Sequence, residues 1–85
     1  MHKFNVKIAI YEGDYKIFFT FDDGEKGIVD LKNFIFDENC GIFKRLQNIN
    51  DFKDFSINSN TVAWGDDLDL APEFLHDLVI EQNQK

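Results

Sequence analysis

YKIFFTFDDGEKGIVDL, residues 15–31, reads as two strands folded back on each other. Tyr15, Ile17, Phe19 and Phe21 alternate with Lys16, Phe18 and Thr20. That period of two is the mark of a strand with one buried face. Asp22, Asp23, Gly24 and Glu25 interrupt it. Asp-Gly is a strong hairpin signal, because glycine accepts positive φ without a Cβ clash. Residues 26–31 form the return, with Val29 and Leu31 on one face and Ile28 on the other. Phe18 then points away from Phe19 and Phe21, on the side that Ile28 also takes. Antiparallel sheets often leave one face in water. Apolar residues on that face mark a candidate contact surface.

Upstream, Phe4, Val6, Ile8 and Ile10 alternate with Asn5, Lys7 and Ala9, which predicts a first strand. Glu12, Gly13 and Asp14 turn it into the next one, completing a three-stranded meander. Downstream, residues 32–36 show no clean period and 37–41 read as loop. Ile42, Phe43 and Leu46 have helical spacing, so a short helix is expected, ended by the polar turn formers of residues 48–51. Phe52 and Phe55 anchor the loop that follows. Residues 55–57 and 61–64 are a short hairpin joined through Asn58, Ser59 and Asn60.

A final helix is expected from Pro72 to about Gln82, with Phe74, Leu75, Leu78 and Val79 as its inner stripe. His76 sits outside that stripe, toward water, and residues 80–85 fray. The sum is an α+β fold with no linker or repeat. A three-stranded antiparallel meander and a hairpin are joined by two helices, the C-terminal one packed on the sheet.

All 85 residues fit one small domain. Hydrophobic residues make up 44%, and ten are Phe, which argues against disorder. The net charge of -7 and the scatter of the nine Lys and Arg argue against nucleic-acid binding and favour a basic partner. Cys40 is the only cysteine, so neither an internal disulfide nor a cysteine-rich zinc site is expected. The N-terminus lacks a continuous apolar signal core, and no stretch reaches the roughly 20 apolar residues of a membrane span. These features point to a reduced, cytoplasmic protein.

TVAWGDDLDLAPEFLHDL, residues 61–78, gathers Asp66, Asp67 and Asp69 behind Trp64. A calcium-loop template starting at Asp67 fails, because Pro72 falls where glycine is needed. No glycine-rich phosphate loop is present, and Cys40 has no histidine near it in sequence. No catalytic residue, metal ligand or cofactor is assigned, and an enzyme is not expected. Strand-to-helix junction chemistry accounts for much of the stretch. Pro72 suits the first helical turn, and Asp69 and Glu73 lie near the positive end of the helix dipole. In that reading Trp64 packs inward. In the other, Trp64, Asp66, Asp67 and Asp69 form an acidic interaction surface, with the Phe18 face as a second one.

Three segments carry a family resemblance: FTFDDGEKGIVDL (19–31), GIFKRLQNINDFKDFSI (41–57) and WGDDLDLAPEFL (64–75). Their most specific parts are Asp23, Gly24, Asp30, Leu31, Trp64, Asp69, Leu70, Pro72 and Glu73. Together they resemble the small bacterial domain-of-unknown-function 2442 group and its Trp-Pro-x-Gly-x-Asp-Leu-x-Pro-Glu signature. Gly65 replaces the usual Pro and Asp67 the usual Gly, so the turn after Trp64 departs from the pattern. The resemblance implies a small α+β protein, without established catalytic residues, often encoded beside another small protein. It therefore implies the antitoxin-like or regulatory half of a two-protein pair. Some members continue into a helix-turn-helix segment; this sequence ends at Lys85, so DNA binding is not expected of it. A non-enzymatic interaction module is the leading expectation, and a homodimer is compatible with it. A small ligand- or metal-binding regulatory domain is the alternative.

Overall fold

A computed structural model of the chain describes residues 4–58, 60–65 and 68–83. Strands β1 (Val6–Gly13), β2 (Lys16–Phe21) and β3 (Lys26–Asp30) form the expected antiparallel meander. Its first turn lies one residue later than the sequence suggested. Asp14 and Tyr15 take φ of 52° and 65°, and Gly13 pairs with Lys16. Two successive positive φ values make the two-residue turn whose twist matches that of the strands. Tyr15 tolerates this conformation because its neighbourhood holds it. Its hydroxyl donates to the Gln47 carbonyl, its ring meets Phe36 and Phe52, and its own carbonyl accepts from Leu31 N–H. The second turn follows the Asp-Gly signal. Gly24 has φ of 90° and donates to the Phe21 carbonyl, while Asp23 Oδ1 accepts from Glu25 N–H at 2.9 Å.

β1 departs from its simple alternation. The pairing Val6 with Phe21 is followed by Ile8 with Thr20, so an extra residue interrupts the ladder. Such a bulge reverses which residues face inward beyond it. Val6 is buried, but Ile8 and Ile10 point outward, and Ala9 and Tyr11 pack on the core instead.

The downstream hairpin is larger than expected. β4 (Ser56–Asn58) and β5 (Thr61–Trp64) are joined by a third strand, β6 (Leu68–Asp69). All four residues of β5 are buried, as in a central strand covered on both faces. The two sheets meet where β1 lies along β4 and β5, through Val6 N–H donating to the Asn60 carbonyl at 2.8 Å.

Between the sheets run α1 (Lys32–Ile35), a 3₁₀ segment (Gly41–Gln47) and α2 (Ile49–Phe52). The helical count thus exceeds the two expected. Residues 48–51 do not simply end a helix. Asn48 caps a new one, its side chain accepting from Asn50 N–H at 2.9 Å. That turn delivers Phe52 to the core at full burial.

α3 (Pro72–Asn83) begins at the predicted residue and packs on β3. Its buried face is Pro72, Leu75, His76 and Val79, at helical spacing. Phe74, expected inside, is an exposed large hydrophobic, while His76, expected in water, is buried. Its end does not fray over residues 80–83. Asp30 N–H donates to Gln82 Oε1 at 2.7 Å, Gln82 Nε2 donates to the Asp30 carbonyl at 3.1 Å, and Asn83 donates to the Ile28 carbonyl at 2.9 Å. These side chains close the free edge of β3, which would otherwise offer unpaired backbone groups to another strand. Among the described residues, no helix is long and apolar enough to cross a membrane.

Candidate functional site

Trp64 is the residue around which the acidic stretch is organised, and it is 2% exposed. Its side chain is packed in the core, as the junction reading expects. Its Nε1–H donates to the Phe52 carbonyl at 2.6 Å, and its ring meets those of Phe52 and Phe55. One indole thereby ties β5 to the end of α2. Above it, Arg45 Nη2 donates to the Trp64 carbonyl at 3.1 Å, anchoring the 3₁₀ segment to the same strand.

Gly65 then turns the chain with φ of 66°. Its positive φ is the reason glycine suits this position. Asp66 and Asp67 lie outside the described residues. Asp69, on β6 opposite Ala63, is exposed, while its neighbour Leu68 is buried opposite Trp64.

A shallow groove of about 260 Å³ opens beside this turn, lined by Arg45, Leu46, Asp51, Asp54, Trp64 and Gly65. Asp51 and Asp54 are both exposed. Burying Phe52 is what places them there, since the same turn that sends the ring inward leaves its polar neighbours in water. Carboxylates from the α2 region thus stand next to Gly65. Two carboxylates beside the Arg45 guanidinium leave the lining net negative.

Phe18 lies on the outer face of the meander, as expected. It is half-buried and stands between Ile10 on β1 and Ile28 on β3 in one cross-strand row. Ile8, Ile10 and Ile28 are 48%, 49% and 42% exposed. The bulge in β1 is what adds the first two to this face.

The remaining signature residues are structural. Asp23 and Gly24 shape the second turn, Asp30 meets Gln82, and Pro72 is fully buried at the start of α3. Glu73 is half-buried near the N-terminal segment, where Phe4 N–H donates to its Oε2 at 3.5 Å.

Sequence reasoning missed a pair. His76 Nε2 lies 2.8 Å from Asp23 Oδ2, joining α3 to the second hairpin turn. The imidazole is stacked on Phe4, with ring centroids 3.8 Å apart, and meets the edge of Phe21. The Asp23 carboxyl is held below its usual value by the Glu25 N–H and then by His76. Next to it, Asn5 lowers Asp22 by hydrogen bonds from its side chain and backbone. The signal for the pair was the spacing of Pro72, Leu75, His76 and Val79, which puts His76 on the inner stripe.

Among the described residues, no group of three or more His, Cys, Asp or Glu is placed to hold a metal ion. No curated protein and no solved structure matches the chain. A family described as "Protein of unknown function (DUF2442)" matches residues 6–81 of the 85, and the chain belongs to that family.

Proposed function

We propose that this chain is a non-enzymatic protein-interaction module, the regulatory or antitoxin-like half of a two-protein pair, whose partner is a small basic protein. The observation that carries the reading is the acidic groove. Asp51 and Asp54 line it with Arg45 beside Gly65, which Asp66, Asp67 and Asp69 follow in the sequence. The chain's net charge of -7 supports the same partner class at longer range. Complementary charge speeds encounter and selects among partners more than it adds affinity.

The test is capture of tagged protein from nuclease-treated native lysate, with wild type and Asp51→Lys/Asp54→Lys run in parallel. Both positions are exposed, so the variant is expected to keep its unfolding midpoint. Wild type is expected to retain one small basic protein in near-equal amount, released as salt is raised. The variant is expected to lose it, with affinity falling about ten-fold or more for two reversed charges. Equal recovery by wild type and variant contradicts the role of the groove. Recovery of no basic protein by wild type contradicts the proposal.

A further inference from the structure

The outer face of the meander is apolar in its middle and charged at its ends, with Lys26 at one and Lys16 beside Asp30 at the other. Three cross-strand rows make it up. Ile8, Thr20 and Lys26 form one end, Ile10, Phe18 and Ile28 the middle, and Lys16 and Asp30 the other end. On β3 alone the outward residues read Lys26, Ile28, Asp30: positive, apolar, negative. Such a series is complementary to itself when reversed.

We infer that this face is an interface with a second copy of the chain, related by a twofold axis running along the middle row. That operation sets Ile10, Phe18 and Ile28 against their own counterparts and exchanges the two ends. Lys26 then falls over the partner's Asp30, and Asp30 over the partner's Lys26. A twofold contact is built from one patch used twice, so each favourable pair occurs twice. Facing sheets pack with their strands rotated by about 30°. Lys26 and Asp30 each lie two residues from the middle row, about 7 Å along the strand. The rotation displaces them by only about 3.5 Å, within reach of a lysine side chain.

Charge decides between occupants. The whole chain is strongly acidic and repels its own kind at a distance. On this face Lys26 and Asp30 stand on either side of the middle row, and Lys16 is paired with Asp14 at 3.5 Å. This face is where an acidic chain can approach a copy of itself without repulsion. A small basic protein gains little from a face that carries two lysines. The other twofold, with its axis along the strands, sets Lys16 against the partner's Lys16 and is disfavoured. The inference therefore goes beyond the basic partner and uses a different surface.

Sedimentation equilibrium of the purified chain, up to sub-millimolar concentration, tests it. Wild type is expected at twice the chain mass of 10.0 kDa. Ile28→Lys is expected to be monomeric with an unchanged circular dichroism spectrum, since Ile28 is already 42% exposed. If that change lowers the unfolding midpoint, Ile10→Lys makes the same test from β1. Lys26→Asp and Asp30→Lys are each expected to weaken self-association about ten-fold, and an equal mixture of the two to recover it. Recovery follows because the mixed pair restores opposite charges at both contacts.

A monomeric wild type overturns the inference, as does a dimer insensitive to Ile10→Lys and Ile28→Lys. A mixture no tighter than its components overturns the twofold arrangement. A monomeric wild type that still captures a basic protein overturns this inference alone and leaves the groove proposal standing. A wild-type dimer that captures nothing supports this inference and contradicts that one.

Discussion

Trp64 joins three segments: its own strand, the end of α2 by its side-chain Nε1–H, and the 3₁₀ segment through its backbone carbonyl. Trp64→Ala is expected to cost about 3–5 kcal/mol of unfolding free energy, the range for a large buried aromatic. Urea titration reads this as a lowered midpoint, and an unchanged midpoint contradicts the packing described. Inward packing was one of two readings open for Trp64, because it ends a short apolar run next to a turn and also precedes an acidic stretch. His76 was not legible as an inner residue, because a lone histidine among polar helix residues reads as solvated. What holds it inside is Asp23, 53 positions away in the chain.

That pair has a consequence for acid stability. Asp23 and Asp22 are held below the ordinary carboxyl value of 3.8 by hydrogen bonds. A depressed folded value means that the stabilisation is present above the unfolded value and is lost as pH falls through the folded one. Wild type is therefore expected to lose stability as pH drops below about 4. Asp23→Asn keeps side-chain atoms that can bond but cannot ionise, so its urea midpoint is expected to fall less steeply over that interval. Parallel slopes in the two proteins contradict the linkage.

At the scale of elements, the meander was legible because its alternation and its Asp-Gly turn agree. The bulge in β1 was hidden by an unbroken alternation of Val6, Ile8 and Ile10. Only pairing with β2 shows that the inward set changes to Ala9 and Tyr11. β6 is two residues long, too short to have a period. The end of α3 was read as frayed because residues 81–85 are polar. The polarity of Gln82 and Asn83 serves the edge of β3. Asn83 approaches so closely that a Cβ on Gly27 meets its side-chain nitrogen at 2.7 Å. Gly27→Ala is expected to push Asn83 away and break its bonds to the Ile28 and Val79 carbonyls. The expected loss is about 1–3 kcal/mol for two net hydrogen bonds. Amide hydrogen exchange is expected to quicken across residues 79–83, and unchanged protection there contradicts the assignment of Gln82 and Asn83 to that edge.

For the whole molecule, two sheets and a helix enclose one aromatic-rich core and leave two dissimilar surfaces. One is the acidic groove beside the Trp64 turn, and the other is the apolar face of the meander. The sequence showed the acidic stretch and the outward Phe18. It did not show that Asp51 and Asp54 come alongside Gly65, because their placement depends on where Phe52 packs. Nor could it show Ile8 and Ile10 on the Phe18 face, because that depends on the bulge. Both surfaces are joined in a single expectation: an assembly of two copies of this chain with a basic protein. Native mass spectrometry of tagged protein taken gently from its own lysate reads both at once. Two copies of the chain carrying a small basic protein are expected. A single copy of the chain, with nothing bound, contradicts the function assigned to both surfaces.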